Sequence, residues 1–303
     1  MQIKLVDVDS KIPNLALLKL SSYWKSTGAD VGFDVEDPDL VIISVIYKKN
    51  LEMALEIAKS YGDTPVDLGG TGYSLTKKLQ DEIEYIMPDY DLYPSTYSQG
   101  FSTRGCVRDC SFCIVNEKEG AFRRNQHPSE FYDDRFDTIW FMDNNWIADK
   151  EWFMETSSWA MDFDLKILEC GFDIRLLDDD IIKRISEMNF PKGIHFAFDN
   201  SNLKEIVKEK CQMMKDAGIN IRRDVIFYVY CHNPAHVTDA VRRCNILKKI
   251  GTMPFVMYNI DATRTPRVKR LQHWANRRQW FWSCKFEEFS WKKNYELQNP
   301  LKV

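Results

Sequence analysis

Three cysteines stand within eight positions of one another, in the run Gly100-Phe101-Ser102-Thr103-Arg104-Gly105-Cys106-Val107-Arg108-Asp109-Cys110-Ser111-Phe112-Cys113. The spacing is C-x3-C-x2-C. Thiolates are soft ligands, and three of them on one short loop can hold three corners of a cubane 4Fe–4S cluster. The fourth iron then lacks a protein ligand and is open to a small molecule, as the open position of a catalytic zinc is. The competing use is a zinc site completed by a distant residue such as His127. Structural zinc favours paired C-x2-C knuckles, and the chain has no second knuckle. The other five cysteines (Cys170, Cys211, Cys231, Cys244 and Cys284) are scattered singly and read as small buried hydrophobes.

A cysteine loop needs a strand end to hold it. Residues 99–103 read as that strand, followed by strands at 138–142, 165–168, 193–198, the central part of 220–230, and 254–260. Helical periodicity falls between them, at 150–161, 178–188, 202–217 and 237–250. Six strands with crossover helices predict a closed or partly closed parallel β/α barrel, whose working face lies at the C-terminal strand ends. Ahead of it, strands are expected at 3–8, 31–35, 40–47, 66–68 and 85–87, with helices at 13–27 and 51–61. The run 40–47 is apolar except for Ser44, as a strand buried on both faces would be. Only the acidic link Glu36-Asp37-Pro38-Asp39 precedes it, so one crossover helix is missing. Residues 88–94, with a proline at each end, read as a linker.

Composition bounds the function classes. The 303 residues are 44% hydrophobic and 28% charged, the profile of a globular protein, and the net charge of −4 excludes a globally basic nucleic-acid binder. No apolar run approaches the ~20 residues of a bilayer span. Asp7, Asp9 and Lys11 interrupt the place where a secretory signal needs its apolar core, so a cytoplasmic protein without membrane contact is expected.

The spacing C-x3-C-x2-C, with the aromatic Phe112 before the last cysteine, resembles the radical S-adenosylmethionine (SAM) superfamily, over roughly residues 95–260. The resemblance implies a partial (β/α)6 TIM-like barrel, with Cys106, Cys110 and Cys113 ligating the cluster and SAM chelating the open iron. Electron transfer would then give methionine and a 5′-deoxyadenosyl radical that abstracts hydrogen from a substrate the sequence does not identify. An electron donor such as flavodoxin or ferredoxin is implied as partner. The family holds the SAM amine with polar groups after the second barrel strand, and here Asp143, Asn144 and Asn145 stand in that place. The run Gly171-Phe172-Asp173-Ile174-Arg175 resembles a segment of cobalamin-type members, with Arg175 as a carboxylate partner. Asp199 would meet the SAM ribose and Arg223 the SAM carboxylate; Phe112 would lie beside the cofactor.

Residues 1–92 resemble a small Rossmann-like, cobalamin-binding α/β domain, with Gly69-Gly70 placed to let backbone approach a nucleotide loop. No histidine precedes His127, so this domain supplies no axial imidazole, and we read it as vestigial. If cobalamin binds, the chain is a cobalamin-dependent methyltransferase. Residues 93–262 form the expected barrel and 263–303 an extension packed on it. In that extension Arg264, Arg267, Lys269, Arg270, Arg277 and Arg278 meet Trp274, Trp280, Phe281 and Trp282. Cations with stacking rings suit nucleic acid at 264–282; the plainer use is a helix whose tryptophans pack on the barrel. The non-enzymatic alternative is a nucleic-acid-binding or scaffold protein with a structural metal.

Overall fold

The computed structural model describes residues 1–168, 171–259 and 264–290. In chain order the strands are Gln2–Asp7 (β1), Asp30–Gly32 (β2), Leu40–Ser44 (β3), Val66–Gly69 (β4), Ser98–Gly100 (β5), Thr103–Arg104 (β6), Arg123–Arg124 (β7), Thr138–Phe141 (β8), Lys166–Leu168 (β9), Ile194–Ala197 (β10), Val225–Cys231 (β11) and Met253–Tyr258 (β12). The α-helices are Leu15–Ser26 (α1), Leu51–Ser60 (α2), Asp81–Glu84 (α3), Val115–Glu119 (α4), Lys150–Asp162 (α5), Asp179–Glu187 (α6), Lys204–Asp216 (α7), Ile221–Asp224 (α8), Val237–Ile250 (α9), Pro266–Ala275 (α10) and Arg278–Ser283 (α11). The chain is a mixed α/β protein with parallel sheets, divided into two compact units: 1–145 with 155–168, and 146–154 with 169–303.

In the first unit β1 to β4 form a parallel sheet in the order β2-β1-β3-β4. The apolar run at β3 is explained by its two faces. Ile42 packs with Ile3, Leu5 and Leu17, while Val41 and Ile43 pack with Ala54. Helix α1 starts at Asn14, whose side chain accepts the N–H of Ala16 at 3.1 Å and of Leu17 at 3.3 Å. No helix separates β2 from β3, as the acidic link predicted. The strand expected at 85–87 is absent: α3 makes one helical turn just before it, and Tyr85 caps that turn. Gly70 serves the sheet itself. At φ +95° its missing Cβ would lie 2.3 Å from the Val45 carbonyl oxygen, so the close backbone approach it permits is with this chain.

Strands β5, β8 and β9 form a second parallel sheet in this unit, in the order β5-β8-β9, and β6 pairs antiparallel with β7.

The second unit holds the parallel sheet β10-β11-β12. Val225, Phe227, Val229 and Cys231 alternate into the core of β11, and α9 packs on β11 and β12. The expected strand over 220–230 begins late, because Asn220 caps the turn of α8 by accepting the Arg223 N–H. In the extension Trp274 and Phe281 are fully buried with ring centroids 5.1 Å apart, and Trp280 is buried beside Phe289. Arg270 donates to the Phe286 and Phe289 carbonyls, and Arg278 to those of Arg222 and Arg223. The stacking surfaces invoked for nucleic acid are therefore used internally by Trp274, Trp280 and Phe281; Trp282 is half-buried under the Arg222 guanidinium, 4.1 Å from the ring centroid. Thr263, the tail beyond Ser290, Ile260 and Cys170 lie outside the described residues.

Candidate iron–sulfur site

The cysteine loop leaves β5 and passes through β6. Cys106 and Cys110 are half-buried and Cys113 is exposed, and none is in a disulfide. The Cys113 N–H donates to the Cys110 carbonyl at 2.9 Å, a turn that brings these two positions to one side of the loop. Val107, Phe112 and Ile114 on the same segment are exposed, Phe112 to 40%. The other described cysteines differ in kind. Cys211, Cys231 and Cys244 are buried, and burial pushes each thiol up, Cys211 to about 12. They are inert packing groups, as expected of singly spaced cysteines; Cys284 is half-buried.

The loop is held by the turn after β8. Strands β5 and β8 run parallel, with Gly100 opposite Phe141, and the Met142 N–H donates to the Gly100 carbonyl at 2.8 Å. Beyond that point side chains continue the ladder. Asp143 accepts the Ser102 N–H at 3.1 Å, the Ser102 hydroxyl at 2.9 Å, and the Thr103 N–H and hydroxyl. Asn144 Oδ1 accepts the Gly105 N–H at 3.1 Å. Asn145 Nδ2 lies 4.0 Å from Cys106 Sγ. Asp143 is 3% exposed and Asn145 1%. Burial raises the Asp143 carboxyl to about 6 against the pull of its four donors.

This geometry corrects the expected role of Asp143. Both its oxygens are committed to the cysteine loop and neither faces solvent, so the side chain does not fit an amine ligand. Asn144 likewise spends its carbonyl on Gly105, and Asn145 is turned toward Cys106. The three residues fit a different task, holding Ser102, Thr103 and Gly105 and standing against Cys106, in register with the strand pair.

Gly105 is required at the base of the loop. Its φ is +79°, and a Cβ would fall 2.6 Å from the Ala121 carbonyl oxygen and 2.7 Å from that of Gly120. Sequence reasoning missed Ser102 and Thr103 as the partners of Asp143; the two hydroxyls just ahead of Arg104-Gly105-Cys106 were the available signal.

Arg175, Asp199 and Arg223 belong to the second unit. Arg175 Nε donates to Asp173 Oδ1 at 2.7 Å. Asp199 follows β10 and accepts the Tyr230 N–H at 2.7 Å; burial raises its carboxyl, with Arg243 and Arg175 pulling the other way. Buried Arg243 donates to the Phe198 carbonyl at 2.8 Å and the Tyr230 carbonyl at 3.0 Å, tying together the C-terminal ends of β10 and β11. Arg223 stands at the other end of this sheet. It lies in α8, ahead of β11, where its exposed side chain pairs with Asp224. Arg223, expected to meet the SAM carboxylate, thus lies at the opposite end of this sheet from Asp199.

Among the described residues no three His, Cys, Asp or Glu side chains converge as ligands of one metal ion. A cubane would ask for one thiolate per iron, and Cys106, Cys110 and Cys113 lie on one loop outside any disulfide. Among the described residues no helix is long and apolar enough to cross a membrane. No protein-family model matches the chain, and no curated protein is significantly similar to it.

Proposed function

We propose that the chain is a radical SAM enzyme whose 4Fe–4S cluster is held by Cys106, Cys110 and Cys113. The observation that carries this reading is the contrast among the cysteines. Three at C-x3-C-x2-C are accessible on one loop, whereas Cys211, Cys231 and Cys244 are buried with raised thiol pKa values. When bound, the reduced cluster supplies the electron that cleaves SAM to methionine and a 5′-deoxyadenosyl radical, which takes hydrogen from the substrate. The chain's own part is to hold the loop. Asp143 and Asn144 fix Ser102, Thr103 and Gly105, and Asn145 stands against Cys106. Asp199 and Arg175 remain polar candidates for the nucleotide part of SAM. The sheet of β1 to β4 is read as a vestigial cobalamin-type domain, since its glycine turn at Gly70 is filled by Val45.

The reading is tested by anaerobic reconstitution with iron and sulfide. About four irons per chain are expected, with the broad absorbance of thiolate-bound clusters. Replacing Cys106, Cys110 and Cys113 by alanine should abolish both, and replacing Cys211 or Cys244 should abolish neither. Reduced protein with SAM should release 5′-deoxyadenosine, with cell extract supplied as a source of substrate. A triple variant that keeps its iron, or a loaded wild type that releases no 5′-deoxyadenosine in either condition, overturns the proposal.

A further inference from the structure

We infer that Arg104 is a positioning residue for the cluster loop, joining its two ends through a buried network of Lys19, Glu84 and Glu119. This inference rests on the iron–sulfur reading above for its purpose, though not for its geometry. Arg104 stands two residues before Cys106, and Glu119 closes α4, six residues after Cys113. The Arg104 Nη1 donates to Glu119 Oε2 at 2.9 Å, so one side chain at the start of the loop grips a carboxylate at its end. On its other edge the guanidinium donates to Glu84 Oε1, through Nε at 3.0 Å and through Nη2. Its face lies on the Phe101 ring, 4.0 Å from the centroid. Behind Glu84, the ammonium of Lys19 on α1 lies 3.6 Å from Glu84 Oε1 and donates to the Glu84 carbonyl and, at 3.0 Å, to Gln126 Oε1.

Side-chain exposures are 1% for Lys19, 15% for Glu84, 14% for Arg104 and 5% for Glu119, yet the cysteine segment they support is largely open. Two cations and two carboxylates taken out of water cost desolvation, which repays only where each charge is paired and hydrogen-bonded. The arrangement also demands arginine. Two carboxylates approach from different directions, and a planar fork with five donors serves both while an ammonium on a flexible stem serves one. The backbone does not need this network, since β6 pairs with β7 and Asp143 holds Ser102 and Thr103 independently. What the network adds is a fixed span between the loop's two ends, and through Lys19 it ties that span to α1. A cluster bound at three corners needs its three thiolates at fixed separations, so a loop held at both ends loses iron more slowly than one held at its start alone.

The test compares Arg104→Lys and Glu84→Gln with wild type in the full chain. Two readouts distinguish positioning from folding alone: amide hydrogen exchange of residues 105–118 in protein without iron, and the rate of iron loss to a chelator after reconstitution. The expected result is faster exchange confined to 105–118. Iron loss should be about tenfold faster or more in Arg104→Lys, as the loss of one charge-assisted hydrogen bond implies, with a smaller change in Glu84→Gln. The spectrum of the reduced cluster should broaden in Arg104→Lys. If both folded variants match wild type in exchange and in iron loss, the inference is overturned; if Arg104→Lys does not fold, Glu84→Gln alone decides on the same criterion. A wild type that takes up no cluster overturns the iron–sulfur reading instead, and the exchange measurement still decides whether Arg104 holds the loop.

Discussion

The Asn144 side-chain carbonyl accepts the backbone N–H of Gly105 at 3.1 Å, so the turn after β8 reaches the residue immediately before Cys106. Parallel strands β5 and β8 stop pairing at Gly100 and Phe141, and from there side chains replace backbone carbonyls as acceptors. These borrowed acceptors satisfy the N–H groups of Ser102, Thr103 and Gly105 where the strand pairing has ended.

Replacing Asn144 by alanine should therefore loosen the loop without unfolding the unit. One neutral hydrogen bond is lost at a half-buried amide, a cost of about 1 kcal/mol. Hydrogen exchange at Gly105 should rise severalfold, while the urea midpoint of the whole protein falls only slightly. Unchanged protection at Gly105 would mean that another acceptor takes over.

Gly105→Ala should be more damaging than Asn144→Ala. The left-handed backbone at φ +79° costs a non-glycine residue roughly 1–2 kcal/mol. The added Cβ also meets two backbone carbonyls, which cannot swing away as a side-chain end could. The base of the loop must then shift, and reconstituted iron should drop well below the wild-type level. Full iron loading at wild-type stability in this variant would contradict the close approach of residues 105 and 121.

How much of this was legible in the sequence follows physical lines. Helix α9 was expected over the same residues, 237–250, because its apolar period is regular and Gly251 stops it at φ +99°. Strand β3 was legible because both its faces are apolar. The region 85–87 misled because a short apolar stretch after an acidic turn reads like an edge strand; Tyr85 instead caps α3. At the site, cysteine type and spacing stood out unaided. The work of Asp143 did not, since an acid after a strand reads as a ligand donor until the register of the neighbouring strand brings Ser102 and Thr103 against it. The pairing of Arg104 with Glu84 and Glu119, 20 and 15 residues away, has no local signature at all.

Arg243→Leu should destabilise the second unit severely. The guanidinium is 2% exposed and serves the Phe198 and Tyr230 carbonyls as well as Asp239, and the Asp199 carboxylate lies 3.9 Å away. Removing the cation takes a buried donor from two carbonyls, while Asp239 and Asp199 keep solvent, the Ser201 hydroxyl and the Tyr230 N–H, so the loss is about 2–3 kcal/mol. Thermal unfolding should shift down by several degrees or more, and Arg243→Lys should recover only part of it. A variant as stable as wild type would show that water replaces the guanidinium at both carbonyls.

The last expectation concerns acid stability and His195 on β10. Its ring is 9% exposed and stacked on Tyr228, with centroids 5.3 Å apart and planes 13° from parallel. Its Nδ1 has no hydrogen-bond partner among the described residues, and burial pulls the imidazole down to about 4. The sign follows from proton counting. Below its ordinary value near 6.5 the unfolded chain binds a proton that the folded chain refuses until about pH 4, so stability falls as pH falls through that window. The full effect is on the order of 3 kcal/mol, and none of it is felt above neutrality. His195→Phe fills a similar volume, keeps the stacking and removes both the orphaned nitrogen and the titration. Urea midpoints at pH 7.5 should be close for the two proteins, while at pH 4.5 the variant should be the more stable. An equal loss of stability on acidification in both would assign the acid sensitivity to other groups and leave the His195 ring protonatable in the fold.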